Sequence, residues 1–203
     1  MSGVPDQSPA LEMSGLTCLR GGRIVFHDLN LSLGAGESAL LTGPNGIGKS
    51  SLMRLCAGLL SPFAGTIDRI GGVALSDERL ALDLDRPLDE ALGFWAGIDG
   101  AEARIDAALD ALALGALRAV PVRMLSTGQR KRAMLARVMA SGAPIWLLDE
   151  PANGLDTASV GLLGAIVSAH LADGGIVVAA SHQPLPLTAP VMIDLLAYQP
   201  VEP

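Results

Sequence analysis

Hydrophobic and polar residues alternate in the LNLSL segment at positions 29–33, which predicts a β-strand with one buried face. We predict antiparallel strands at Leu16–Leu19 and Ile24–Leu33, and a third at Gly65–Ile70 that continues the same sheet after a turn. The first part of the chain therefore predicts an antiparallel β-sheet.

Later apolar runs are short and continuous rather than alternating, which is typical of strands buried on both faces of a parallel sheet. Two of these runs, Ser38–Thr42 and Ile145–Leu148, are followed by segments with helical periodicity, so strands and helices should alternate in this part of the chain. The predicted strands are Ser38–Thr42, Ile145–Leu148, Ile176–Ala180 and Met192–Ala197, and the predicted helices are Ser50–Leu60 and Asp156–Ala172.

The segment Asp77–Val122 has a different composition, with charged residues scattered among Ala and Leu. A helical stretch is predicted at Ala101–Leu117, where an apolar stripe includes Ile105 and Leu109. The pattern therefore separates a small helical unit from the α/β core.

Residues 43–51 read GPNGIGKSS and match G-x-x-x-x-G-K-[ST], between a predicted strand and a predicted helix. Glycines let the backbone turn its N–H groups toward an anion, and the helix N-terminus is positive. Lys49 should reach the β- and γ-phosphates, and the Ser50 hydroxyl should bind Mg²⁺. A Gly-rich turn with a surface lysine is the alternative. The predicted ATP-binding residues are Gly43, Pro44, Asn45, Gly46, Gly48, Lys49, Ser50 and Ser51.

Asp149 and Glu150 follow the buried strand Ile145–Leu148, at the end of the strand where open α/β sheets bind ligands. We expect Asp149 to hold Mg²⁺ and Glu150 to polarise the attacking water as general base. Alone, such a pair is more often a solvated loop. Beside a phosphate loop, the catalytic interpretation is favoured.

Together with LSTGQ at 125–129, LLDEP at 147–151, NGLD at 153–156 and SHQ at 181–183, the phosphate loop resembles the nucleotide-binding subunits of ABC transporters. The resemblance extends from about Leu16 to about Leu196. It implies an α/β P-loop NTPase fold: a RecA-like core sheet, an antiparallel β subdomain and a small helical subdomain.

The resemblance implies that the LSTGQ signature, residues Leu125, Ser126, Thr127, Gly128 and Gln129, binds the partner's ATP in a head-to-tail dimer. Thr127 stands where this family most often has Gly. Physically, Ser126 caps a helix whose N-terminus suits a γ-phosphate. A plain Ser-capped helix is the alternative.

Two more roles are implied by the resemblance. Asp156 matches the family's loop at the dimer contact, and His182 matches the switch histidine that contacts the γ-phosphate and orients water. A lone histidine after a strand is usually structural. Because of the resemblance, we nevertheless take His182, together with Glu150, as a candidate catalytic residue.

Two departures from the family pattern stand out. No Gln occurs between Ile67 and Arg118, where the family has one that contacts Mg²⁺ and the membrane subunit. Glu78 or Asp77 could supply the metal contact. The adenine-stacking aromatic is missing near Arg20, so Arg20 could stack through its guanidinium, or Phe26 could do so instead.

The formal net charge of -7 and pI of about 4.8 argue against a nucleic-acid partner. Half of the residues are hydrophobic, which fits docking on an apolar partner or a large core. The segment Gly174–Ile193 is interrupted by prolines, so we expect no membrane span. Met1–Ser14 has no signal-peptide pattern.

The compact length and three segments, RGGRIVF at 20–26, GPNGIGKSSLMRLCAGLL at 43–60 and LSTGQRKRAMLARVMASGAPIWLLDEP at 125–151, resemble the haem-exporter ATPases of cytochrome c maturation. That resemblance implies a separately encoded polytopic membrane subunit and a peripheral position on the cytoplasmic face of the inner membrane. It also implies that ATP hydrolysis drives transport or release of a haem-chaperone complex. The alternatives are another small exporter's ATPase, a soluble cluster-assembly ATPase, and a nucleotide switch with little hydrolysis.

We predict a flexible tail at 1–14 and one ATPase domain at 15–203. Its nucleotide-binding core comprises 15–76 and 123–203, and its helical subdomain comprises 77–122.

Overall fold

The computed structural model describes residues 8–77, 79 and 81–200. Its strands are β1 (Ala10–Arg20), β2 (Arg23–Leu33), β3 (Ser38–Thr42), β4 (Ala64–Ile70), β5 (Val73–Ser76), β6 (Ile145–Asp149), β7 (Ile176–Ala180) and β8 (Val191–Asp194). Its α-helices are α1 (Lys49–Cys56), α2 (Leu88–Asp99), α3 (Ile105–Ala111), α4 (Thr127–Ser141) and α5 (Thr157–Ala172).

The strands form two sheets. Strands β2, β1 and β4 are antiparallel in that order, and the second sheet has the order β5-β6-β7-β3-β8 with all pairs parallel. This architecture confirms the predicted fold class, a P-loop α/β core with an antiparallel β unit and helices. The carboxyl ends of β3, β6 and β7 meet at one edge of the parallel sheet, which places the predicted site residues together.

Strands β6 and β7 are buried along their whole length on both faces, as the continuous apolar runs predict, whereas the edge strand β8 exposes Val191, Met192 and Asp194. In β6, Ile145 and Leu147 pack into the cluster shared with α1 and the antiparallel sheet. Trp146 and Leu148 point to the other face and pack with the helices. Alternate residues therefore serve two cores, which explains why no polar position interrupts the run.

The helical unit differs from its prediction. The stretch Ala101–Leu117 is not one helix: α3 ends at Ala111, and Ala113 has a φ of 51°. Leu112 and Leu114 are both fully buried, so the chain turns there to place both side chains in the core. Helix α2 was not resolved by the sequence reasoning, although Asp89 and Glu90 in its first turn are typical of a helix start.

Both ends of the described chain also differ from the prediction. Strand β1 begins at Ala10, so residues 10–14 pair with β2 and β4 instead of belonging to a tail; Leu11 and Met13 are buried. Residues 1–7 of the predicted tail lie outside the described residues. Strand β8 stops at Asp194, whose carboxylate accepts a hydrogen bond from the Leu196 backbone N–H and starts a 3₁₀ turn.

No helix among the described residues is long and apolar enough to cross a membrane.

A stacked pair at the amino end of the parallel sheet should make stability depend on pH. The His170 ring lies 3.8 Å from the Trp146 ring, centroid to centroid, and burial lowers the pKa of His170. The unfolded chain therefore binds a proton at His170 more readily than the folded chain does. The contribution of neutral His170 to the free energy of unfolding is complete above the ordinary histidine pKa of about 6.5 and is lost as the pH falls below it.

His170→Phe keeps an aromatic ring stacked on Trp146 but cannot bind a proton. When the pH is lowered from about 7.5 to about 5.5, we therefore expect the melting temperature of this variant to fall less than that of the parent. Thermal unfolding followed by circular dichroism measures this. His27→Asn, at an exposed position of β2, is the control and should show the parent's loss. An equal loss in His170→Phe would contradict the assignment.

Candidate functional site

The phosphate loop joins β3 to α1 and takes its shape from three glycines. Gly43, Gly46 and Gly48 have φ values of 125°, 81° and 117°, in the region that favours glycine. A Cβ on Gly48 would lie 2.5 Å from Val25 Cγ1, so the antiparallel sheet closes against the loop. No described atom lies within 4 Å of a Cβ built on Gly46, so the loop is open there.

Lys49 places a cation inside this loop. Its side chain is buried, and its Nζ donates to the carbonyls of Gly43 at 2.7 Å and Pro44 at 3.2 Å. Among the described residues no carboxylate forms an ion pair with it. A buried ammonium held by neutral carbonyls leaves its charge uncompensated, so the loop is an anion site.

His182 follows β7 and reaches across to the phosphate loop. Its Nε2 lies 3.0 Å from Lys49 Nζ and 2.6 Å from Asn45 Oδ1. The same nitrogen is 3.5 Å from Glu150 Oε1, and the His182 backbone N–H donates to Glu150 Oε2 at 3.3 Å. The histidine therefore connects the phosphate loop with the end of β6.

Glu150 has an unusual backbone, with φ of 47° immediately after β6. Its N–H donates to the Ala180 carbonyl, and its own carbonyl accepts from the Asn153 N–H. This left-handed conformation is uncommon for a residue with a side chain. It places the carboxylate beside His182, where Oε1 is buried and has no hydrogen-bond partner.

The oxygen donors for a metal lie beside this carboxylate. Asp149 ends β6 and is 4% exposed, whereas Ser50 lies exposed in the first turn of α1. The described residues contain no cluster of three or more His, Cys, Asp or Glu that could hold a metal by itself. One carboxylate, one hydroxyl and substrate phosphates form the usual donor set for Mg²⁺, so these residues fit it.

The LSTGQ segment forms the start of α4. The Ser126 hydroxyl accepts from the Gln129 N–H at 3.2 Å, and Gln129 Oε1 accepts from the Ser126 N–H at 2.8 Å, which is a capping box. Leu125 is buried and anchors the segment, whereas Ser126 and Thr127 are exposed. This exposed helix N-terminus can bind an anion on the protein surface.

Asp156 lies in the loop that touches this segment. A Cβ on Gly128 would lie 3.3 Å from the Gly154 carbonyl oxygen, so the two loops are adjacent. The Asp156 carboxylate caps α5 by accepting from the Ser159 N–H at 2.8 Å. This bond lowers the pKa of Asp156. No hydrogen bond among the described residues joins residues 125–129 to the phosphate loop.

The structure also shows where the residues proposed to replace the missing adenine-stacking aromatic and the missing glutamine lie. Phe26 is fully buried under Gly48, so it presents no face to adenine. Arg20 is exposed at the end of β1, in the hairpin that joins β1 to β2. Glu78 lies outside the described residues, and Asp77 pairs with Arg54 of α1 at 3.7 Å.

The structure thus brings the phosphate loop, Asp149, Glu150 and His182 to one edge of the sheet, and places the signature with the Asp156 loop in a second group. Sequence reasoning did not find two contacts: His182 with Asn45, and Arg54 with Asp77. The first joins distant segments and has no local signal. The second joins α1 to the loop after β5, so it has no local signal either.

A glycine-shaped anion loop with a buried lysine, beside a strand ending in Asp-Glu, defines a P-loop nucleotide-binding enzyme. The family described as "ABC transporter" matches residues 26–153. The chain therefore belongs to the ABC transporter family, as an ATP-binding and ATP-hydrolysing member.

Curated relatives are similar over most of their length. A protein of Sphingopyxis alaskensis named cytochrome c biogenesis ATP-binding export protein CcmA is 54% identical over 85% of this chain and 89% of its own. A protein of Novosphingobium aromaticivorans with the same name is 55% identical over 96% and 100%. An ABC transporter ATP-binding protein from Pyrococcus furiosus, 24% identical, has the same fold, with a TM-score of 0.82 over 94% of this chain and 100% of that one.

Gly48→Ala should damage the phosphate loop, because it combines a strained φ with a Cβ clash against Val25. We expect the free energy of unfolding to fall by about 1–3 kcal/mol and nucleotide affinity to fall with it. Chemical denaturation and fluorescent-nucleotide titration measure these effects.

Gly22→Ala is the matched control. Its φ is 78°, but no described atom lies within 4 Å of the added Cβ, so it carries strain without a clash. If Gly48→Ala bound nucleotide as well as Gly22→Ala, the close approach of the sheet would not shape the loop.

Proposed function

We propose that this chain is the ATP-hydrolysing subunit of a cytochrome c biogenesis complex. In this proposal it powers transport or release of a haem-chaperone complex through a separate polytopic membrane subunit. The observation that carries the ATPase part is the buried Lys49 ammonium, held by the Gly43 and Pro44 carbonyls and facing His182 in a glycine-shaped loop. The observation that carries the cytochrome c part is 54–55% identity to relatives with that name.

The polyphosphate binds to the loop through its N–H groups and Lys49. The charge of the γ-phosphate would take the place that His182 now holds at Lys49, which frees the imidazole to contact phosphate and water. Glu150, whose Oε1 is buried without a hydrogen-bond partner, would accept a hydrogen bond from the attacking water and polarise it. Asp149 and Ser50 would hold Mg²⁺, which neutralises charge on the phosphates when bound.

The second site element comes from a partner copy. Ser126 and Thr127 are exposed, and residues 125–129 have no hydrogen bond to their own phosphate loop. Such a helix N-terminus suits the γ-phosphate of another subunit, so two chains would close head to tail on two ATP molecules. In this arrangement the loop that contains Asp156 lies beside the signature and contacts the partner.

The complex would be bound to the cytoplasmic face of the inner membrane, with the chain as a peripheral subunit. Arg20, at the exposed hairpin, is the proposed adenine contact. Nothing in the described residues favours a nucleic-acid partner, since the net charge is -7. The names of the relatives also favour this assignment over a soluble cluster-assembly ATPase.

Lys49→Ala should abolish ATP binding, because the phosphates lose the cation that the loop holds for them. A loss of at least about 100-fold in affinity is expected from removing one partner of a buried charge pair. Titration of the purified chain with a fluorescent ATP analogue measures this, and unchanged affinity would remove the loop from the site.

Glu150→Gln should bind ATP normally, stop turnover and accumulate as an ATP-bound dimer, because only the base is lost. Phosphate release and sedimentation velocity measure the two effects. Glu12→Gln, at an exposed position of β1, is the control and should hydrolyse ATP like the parent. Normal turnover in Glu150→Gln would exclude Glu150 as the base.

The cytochrome c assignment is tested with tagged Glu150→Gln protein, isolated from cells in mild detergent with ATP and Mg²⁺. We expect a polytopic membrane protein to co-purify, with a Soret absorption from a haem-carrying partner. A membrane partner without haem would contradict the assignment to cytochrome c biogenesis. Soluble partners alone would contradict membrane coupling.

A further inference from the structure

The chain lacks a glutamine after β5, and two arginines hold this end of the strand instead. From α1, Arg54 pairs with Asp77 at 3.7 Å. From α4, the Arg137 guanidinium donates to the Leu75 carbonyl. The last residues of β5 are therefore held by the phosphate-loop helix and by the signature helix at once.

Arg137 also contacts the helical unit. Its guanidinium carbon lies 5.3 Å from the centroid of the Trp95 ring on α2, which is within cation–π distance. The Trp95 indole N–H in turn donates to the Ala81 carbonyl, in the loop that follows β5. One side chain thus connects α4, β5 and α2.

The burial of Arg137 shows that this contact has a cost. Its Nε is buried without a hydrogen-bond partner, and no carboxylate among the described residues forms an ion pair with it. Desolvation lowers the pKa of the guanidinium. A methionine or leucine would fill such a space more cheaply, so the cation has a role beyond filling it.

The position of β5 shows what that role affects. Its last residue, Ser76, is in register with Leu148 of β6, directly before Asp149 and Glu150. Arg137 lies on the same helix as Ser126, about 16 Å from it at 1.5 Å per residue. A rigid helix therefore joins the signature to the strand beside the catalytic carboxylates.

We propose that Arg137 is a positioning residue that fixes the signature helix against β5, the neighbour of the strand that ends at Asp149, and against the helical unit. This inference rests on the proposed function, because the signature acts on a partner's ATP. Arg137 touches no nucleotide. Its loss should leave ATP binding to the phosphate loop intact, and should prevent the signature from closing correctly on the partner.

The planar guanidinium is required, because it lies over the Trp95 ring while it donates to the Leu75 carbonyl. The ammonium of lysine keeps the charge but cannot make both contacts. Arg137→Lys and Arg137→Met should therefore fail alike. Arg69→Met is the matched control: the Arg69 guanidinium also donates to a backbone carbonyl, that of Cys56 at 2.8 Å, but it lies on β4 in the antiparallel sheet.

The test uses the full chain and measures the affinity for a fluorescent ATP analogue, kcat, and ATP-dependent dimerisation in the Glu150→Gln background. In both Arg137 variants we expect affinity within about threefold of the parent and a fall of about tenfold in kcat and dimer stability. Arg69→Met should match the parent in all three.

Three outcomes overturn the proposal. Parental kcat and dimerisation in Arg137→Met would show that the contact positions nothing. An equal fall in nucleotide affinity and dimerisation would show that Arg137 only supports the fold as a whole. Full recovery in Arg137→Lys would also contradict the planar contact.

A second measurement separates this proposal from the proposed function. The chain has 2 tryptophans, so Trp146→Phe leaves Trp95 as the reporter. Adding Arg137→Met should increase quenching of Trp95 by acrylamide, with or without nucleotide. If the parent bound no ATP, the proposed function would fail, and this measurement would still test the contact. Unchanged quenching of Trp95 would show that Arg137 does not cover the Trp95 ring, and would overturn the proposal about Arg137.

Discussion

The buried positive charge of Lys49 is the constraint on which the site depends. Three carbonyl or imidazole groups surround its ammonium, and among the described residues no carboxylate forms an ion pair with it. Burying a cation without an ionic partner costs free energy, so there is an energetic demand for a negatively charged group beside Lys49. A polyphosphate satisfies that demand with several oxygens, which explains why the loop should select phosphorylated ligands.

The rest of the core positions groups around this charge. Parallel strands β3, β6 and β7 end at one edge and deliver the loop, the Asp149-Glu150 pair and His182 to it. The antiparallel sheet closes the loop from behind through Val25 and Phe26. The site is therefore assembled by the order of strands in the sheet.

Local patterns predicted most of this arrangement, because the phosphate loop, the buried strands and the Ser126 cap each depend on neighbouring residues. Long-range geometry could not be predicted in this way. The left-handed φ of Glu150 is imposed by β7, whose Ala180 carbonyl accepts its N–H. The break at Ala113 likewise depends on two leucines that the core buries. The catalytic, metal-binding and partner-contacting roles assigned to the site residues, including Arg20 and Asp156, remain predictions.

In the proposed site, the loop recognises a polyphosphate through the buried positive charge of Lys49. The most direct test is calorimetric titration of the chain with ATP, ADP and AMP under the same conditions. We expect ADP and ATP to bind at least about 100-fold more tightly than AMP, because their additional phosphates form the buried charge pair with Lys49. AMP binding as tightly as ATP would contradict it.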